Sequence, residues 1–162
     1  MRFSDRVPTI RAGTQGYRMY FALLVSALLV LACIFIHYEV LRIVAGIIPK
    51  LQIPVRFKVL VVVVCCFGAH TVEVWLYALT YAVISGGSEG SLGGHTAGEF
   101  SDFVYFSATA YSTIGFGDIY PTGHLRLIAA TEGLNGLFLI AWSTSFTYLV
   151  MDRMWPLHSE PE

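Results

Sequence analysis

The chain has 162 residues, 56% of them hydrophobic and only 13% charged, with a net charge of −1 and a mean hydropathy of +0.65. Soluble domains average about 45–50% apolar and about 25% charged residues, so this chain has too few charges to solvate an ordinary globule. The apolar residues also fall into long unbroken runs, which excludes a soluble enzyme, a nucleic-acid binder and a disordered segment. An integral membrane protein remains.

The first run, residues 19–36, contains no charge. At 1.5 Å per residue it covers about 27 Å, close to the thickness of the hydrocarbon core. Apolar sequence resumes after His37 and Glu39, so the spacing predicts an extra membrane helix over 19–48 behind a tail over 1–18. An amphipathic or partly re-entrant first segment is the alternative. Val30-Leu31-Ala32-Cys33 weakly resembles a lipoprotein processing box, but the run continues past Cys33, which favours a retained helix. Cys33, Cys65 and Cys66 lie inside apolar runs without a CxxC spacing and read as small buried hydrophobes.

The second run, 59–84, holds two ionisable side chains, His70 and Glu73, and the third, 127–151, holds one, Glu132. Pro49 and Pro54 punctuate the first connection, and a Gly/Ser stretch over 85–94 follows the second run. The 37–58 connection carries Arg42, Lys50, Arg56 and Lys58, while 85–124 carries no Lys or Arg. The positive-inside rule therefore places 37–58 in the cytoplasm and 85–124 outside. Residues 1–18 carry four Arg (Arg2, Arg6, Arg11 and Arg18). That tie leaves the first helix unoriented by charge.

Between the second and third runs, Ser101 or Asp102 is placed to cap a helix of about ten residues. Such a helix is too short to cross but long enough to dip into the membrane. Thr113-Ile114-Gly115-Phe116-Gly117-Asp118 follows at once. This stretch resembles the selectivity filter of potassium channels, whose common form is T-[VI]-G-[YF]-G-D. The surrounding order of outer helix, pore helix, filter and inner helix is similar to that family over about residues 57–152.

The resemblance implies an all-α integral membrane fold: three transmembrane helices, a re-entrant pore helix and an extended filter, assembled as a homotetramer. It implies an outer helix over 57–85, pore helix and filter over 100–118, an inner helix over 125–151 and a C-terminal tail over 153–162. Potassium ions would be coordinated at Thr113, Ile114, Gly115 and Phe116, with Gly117 completing the filter and Asp118 at the outer mouth. The chemistry accounts for these residue types. A dehydrated ion needs rings of backbone carbonyls, and aligning the carbonyls of a short strand needs alternating backbone handedness. Gly115 and Gly117 adopt positive φ at little cost. Four strands are required and the chain supplies one, so the function belongs to an oligomer.

Two positions depart from the commonest family pattern. Phe116 stands where Tyr is frequent, which removes a phenol that could tether the filter to the pore helix. Thr109 stands where some members carry a Glu that braces the filter Asp, so any partner of Asp118 must come from elsewhere. Glu132, an acid inside a span, is a functional candidate by default; it either braces the filter region or is a hydrogen-bonded packing residue. Gly136, ten residues after Arg126, matches the family's inner-helix hinge, with Gly133 as competitor; close packing is the alternative for both. His70 and Glu73, three apart on one helix face, form either a pH-sensing pair or a buried polar pair, and they lack a second pair to complete a metal site. His37, His95 and His124 read as lying outside the spans. Ser143, Thr144, Ser145 and Thr147 make the inner end of the third span polar.

No helix carries Lys or Arg at every third position, so no voltage sensor is expected. Eleven residues follow Met151, too few for a cytosolic ligand-binding domain. The sequence thus leads to passive potassium conduction across a membrane, of bacterial inner-membrane type, with lipid as the surroundings. It implies no enzymatic step, no nucleic-acid partner and no cofactor beyond the permeant ion. A weakly selective cation channel and a non-conducting scaffold subunit are the competing readings.

Overall fold

In the computed structural model, which describes residues 10–87 and 90–154, the three apolar runs become three long helices. Helix α1 covers Ile10–Ile47, α2 covers Val55–Ile84 and α4 covers Leu125–Met154, with a shorter helix α3 over Phe100–Tyr111 between the last two. The long helices have the length and apolar composition to cross a membrane. Arg2, Arg6, Glu89 and the end of the C-terminal tail (155–162) lie outside the described residues.

α1 is one continuous helix, which corrects the alternative of a re-entrant first segment. His37 lies within it and is fully buried, so placing this residue outside the spans is also corrected. The helix runs on past Glu39 because that carboxylate is paired along the same face with Arg42 at 2.5 Å (i, i+3), an exposed pair of modest worth. A single 3-10 turn, Ile48–Lys50, takes the chain round with Pro49 inside it, and Pro54 caps the start of α2. Proline suits both places because it has no N–H to leave unsatisfied.

α1 and α4 both pack on α2, forming two apolar clusters. Near the start of α1, Ala22, Leu29 and Cys33 meet Tyr77 and Tyr81 of α2, Phe106 of α3, and Leu125, Ile128 and Leu139 of α4. At the opposite end Leu41, Val44 and Ile48 meet Val62 and Cys66. α3 sits at the first end, wedged between α2 and α4. Its twelve residues rise about 18 Å, short of a bilayer core.

The start of α3 differs from expectation. Glu99 is the N-cap, and neither Ser101 nor Asp102 takes that role. Asp102 stands at the third helical position, where its Oδ2 accepts from the Thr96 hydroxyl (2.7 Å) and from the backbone N–H of Ala97 (2.8 Å), Gly98 (2.9 Å) and Glu99 (3.3 Å). One carboxylate therefore folds the loop and closes the helix start. The Gly/Ser-rich connection also forms a two-stranded antiparallel ribbon that the sequence did not announce. In it β1 (Leu92–Gly94) pairs with β2 (Ile119–Pro121) in the register Gly93 opposite Tyr120. The ribbon continues where the His95 N–H donates to the Asp118 carbonyl at 2.9 Å.

Candidate functional site

α3 unwinds after Tyr111 in a sequence of backbone bonds that delivers the next six residues. Ser112 N–H donates to the Ala108 carbonyl (3.1 Å), Thr113 N–H to Ala110 (3.0 Å) and Gly115 N–H to Thr109 (3.1 Å). From Thr113 the sign of φ alternates: +60° at Thr113, +54° at Gly115 and +82° at Gly117, with Ile114 and Phe116 outside the positive region. Positive φ at Thr113 costs about 1–2 kcal/mol, a strain that persists only where the surroundings hold it. Thr113 to Asp118 are all exposed on the chain, including the apolar Ile114 (60%) and Phe116 (68%).

Phe116 and Asp118 are not left untethered. The Phe116 ring stacks on Tyr105 of α3, with centroids 6.4 Å apart and planes 7° from parallel, and the Tyr105 hydroxyl donates to Asp118 Oδ2 at 2.9 Å. The phenol missing at position 116 is thus supplied from the helix behind it. Thr109 turns its hydroxyl back to the Phe106 carbonyl (2.9 Å) and plays no part in holding Asp118.

Glu132 is fully buried behind α3. Its Oε2 accepts from the Tyr81 hydroxyl at 2.5 Å, and its Oε1 lies 2.5 Å from Ser107 Oγ. Ser107 Oγ is also 2.8 Å from the Val74 carbonyl, which can only accept. The single Ser107 hydrogen cannot serve both neighbours. All contacts are satisfied if Glu132 is a neutral acid that donates to Ser107, which passes its own hydrogen to Val74. Glu132 therefore joins α4, α3 and α2 and supports the helix that carries the segment 113–118.

Gly133 and Gly136 lie on the face of α4 that meets the end of α3. A Cβ at Gly136 would stand 2.1 Å from the Tyr111 carbonyl oxygen, and one at Gly133 would stand 3.3 Å from that of Ala110. Gly136 is required for this approach, and α4 continues through it as a regular helix.

His70 and Glu73 share one face of α2, as their spacing implied, and three further residues join them. Glu73 Oε1 lies 3.0 Å from His37 Nδ1 of α1, Glu73 Oε2 lies 3.3 Å from His70 Nδ1, and the Tyr111 hydroxyl donates to Glu73. His70 Nδ1 is 2.8 Å from Tyr111 Oη, and Ser143 Oγ of α4 is 3.0 Å from His70 Nε2 and 3.1 Å from His37 Nε2. His37, Glu73, Tyr111, His70 and Ser143 thus close a ring beneath the last residue of α3. Thr144 and Ser145 spend their hydroxyls on their own helix. Thr147 lines a groove of about 950 Å³ between α2, α3 and α4, which His70, Tyr111 and Ser143 also border. His124 immediately precedes α4, away from the ring.

His37, Tyr81, Tyr105, Ser107 and Tyr111 had no signal of chemistry in the sequence. The usable hint was general: a polar residue such as His37 inside an apolar run needs a buried partner. A family model described as ion channel matches residues 59–152, more than half of the chain. Neither curated proteins nor solved structures give a significant match.

Proposed function

The chain belongs to the ion channel family, and on that basis we propose that it forms a homotetrameric, potassium-selective channel. The observation that carries this reading is the alternation of φ sign from Thr113 to Gly117. Such an alternation turns successive carbonyls of a short strand to one side, the ligand geometry that replaces an ion's hydration shell. Thr113, Ile114, Gly115 and Phe116 supply the potassium ligands, Gly117 completes the filter and Asp118 sits at its mouth. Four copies around an axis surround the ion and cover the exposed Ile114 and Phe116. α3 is then the re-entrant pore helix, with α2 and α4 as outer and inner helices.

No reaction is catalysed and the filter itself uses no cofactor: potassium passes down its electrochemical gradient. The protein works in a lipid bilayer, of bacterial inner-membrane type. Support for potassium over a mixed-cation pore comes from the Tyr105 clamp, which fixes both Phe116 and Asp118 to the pore helix and so holds the ligand spacing.

The test is flux from purified protein in liposomes. Potassium flux blocked by barium, sodium flux at least about tenfold lower, and loss of flux in Gly115→Ala support the proposal. Equal sodium and potassium flux overturns the selectivity, and no flux from a verified tetramer overturns conduction.

A further inference from the structure

The ring beneath α3 is short of one positive charge. The five contacts that close it (His37–Glu73, Glu73–Tyr111, Tyr111–His70, His70–Ser143, Ser143–His37) need five hydrogens, apart from the longer His70–Glu73 contact that crosses it. Two neutral imidazoles, one phenol and one serine supply four, and an ionised Glu73 supplies none. His37 and Glu73 are fully buried and the His70 side chain is 18% exposed. With Glu73 ionised the ring is complete only with one added proton, or with a metal ion in its place.

The side-chain arrangement says where that cation belongs. Both imidazoles turn Nε2 to the same Ser143 oxygen and Nδ1 to the same carboxylate. Ser143 Oγ has two lone pairs, enough to accept from both Nε2–H groups, and that tautomer leaves both Nδ1 lone pairs facing the Glu73 oxygens. One ligand atom each from His37, His70 and Glu73 falls within 4.8 Å of the others. His37 Nδ1 lies 3.0 Å from Oε1 and His70 Nδ1 3.3 Å from Oε2. The two rings thus face opposite oxygens of one carboxylate, close to the ligand-to-ligand edge of about 3.3 Å in a tetrahedron with 2.0–2.1 Å metal bonds. Tyr111 Oη, hydrogen-bonded to Glu73 and 2.8 Å from His70 Nδ1, is too close to both to be a separate corner and steadies the carboxylate from outside. Two imidazoles and a carboxylate form a donor set suited to zinc and related divalent transition metals. Ser143 is the outer partner that fixes both rings. The groove bordered by His70, Tyr111 and Ser143 gives access from the side.

We propose that His37, His70 and Glu73, with Tyr111 hydrogen-bonded to the carboxylate, form an intramembrane site for one zinc-like divalent metal per subunit, pinning α1 and α2 to the last residue of α3. The site itself stands on this geometry; its effect on conduction rests on the channel reading above. Metal uptake replaces the ring's added proton, so one proton is released per metal bound. The other titratable groups around the ring are Cys33 of α1, Cys66 and Tyr77 of α2 and Glu132 of α4.

The experiment strips the purified full-length protein with chelator, reloads it with zinc, magnesium or calcium, and measures metal content and potassium flux on the same preparation. The expected result is one zinc per subunit, no retained magnesium or calcium, and zinc affinity falling about tenfold per unit of acidification. His37→Gln and Glu73→Gln lose the zinc, while Tyr111→Phe keeps it more weakly. Cobalt added to the wild-type protein gives the visible bands of a four-coordinate site, a readout that needs no variant. Absence of both zinc and cobalt bands from folded wild type overturns the proposal and leaves the ring holding a proton only. Zinc retained equally by folded His37→Gln overturns it as well. Zinc binding without flux would spare this site and remove the channel reading, and flux without zinc binding would do the reverse. On a conducting preparation, zinc removal lowers potassium flux at least threefold.

Discussion

At Glu132 an acid and an amide are nearly equivalent, because the acid is called on to donate once and accept once. In Glu132→Gln the amide N–H donates to Ser107 and the amide oxygen accepts from Tyr81. The amide's second N–H is left without a named partner, and the expected cost is about 1 kcal/mol. Glu132→Ala strands the Tyr81 hydroxyl beside an empty volume, and the expected cost is about 2–4 kcal/mol. Thermal unfolding of both variants in one detergent checks this. If Gln is as damaging as Ala, Glu132 is ionised and the hydrogen count given above is wrong. The same count explains why a carboxyl group is tolerated in an apolar span: neutral and fully hydrogen-bonded, it avoids the large cost of a bare charge.

Among the elements, α3 has the most exposed foundation, since its first turn hangs on the Asp102 carboxylate. The Thr96 hydroxyl, followed by the backbone N–H groups of Ala97, Glu99 and Gly98, holds the Asp102 carboxyl below its usual range. A depressed carboxylate contributes stability above its unfolded value, about 3.9, and loses it as pH falls through the folded value. Wild type and Asp102→Asn should therefore differ in unfolding temperature at neutral pH and begin to converge only below about pH 3.9, as the pH falls toward the depressed folded value. A difference that does not narrow at all between about pH 5 and about pH 2 would mean that Asp102 acts through packing instead. The elements were unequally legible. Runs of twenty or so apolar residues have one physical solution in lipid, so α1, α2 and α4 could be read from length alone. The ribbon could not, because three-residue strands containing two glycines carry no periodic signal. The α3 cap was misassigned because Glu99, Ser101 and Asp102 are all plausible caps, and the choice is made by Thr96 and Ala97 folding back onto Asp102.

Across the whole molecule the segment 113–118 and its supports divide along the same line. Thr113–Asp118 is local: six consecutive residues whose backbone needs are visible in their order. Its supports are distant. His37 meets Glu73 across 36 positions, Tyr81 meets Glu132 across 51 and His37 meets Ser143 across 106. Such pairings depend on how helices rotate against one another, which a single sequence does not state. Tyr105, thirteen positions from Asp118, was within reach but unremarkable among its aromatic neighbours.

The connection between α1 and α2 adds one more property. Leu51 to Pro54 is non-helical, and Gln52, Ile53 and Pro54 are exposed. α1, by contrast, is held along its length by Ala22, Leu29, Cys33, His37, Leu41 and Val44. Its hold on the rest of the protein is therefore lateral and does not depend on being joined to α2. Residues 1–51 and 54–162, made as two polypeptides in the same cell, should reassemble and co-purify through a tag on either one. Replacing His37 with Leu should lower the yield of the pair. Failure of the wild-type halves to associate would show that α1 needs its tether to find its place.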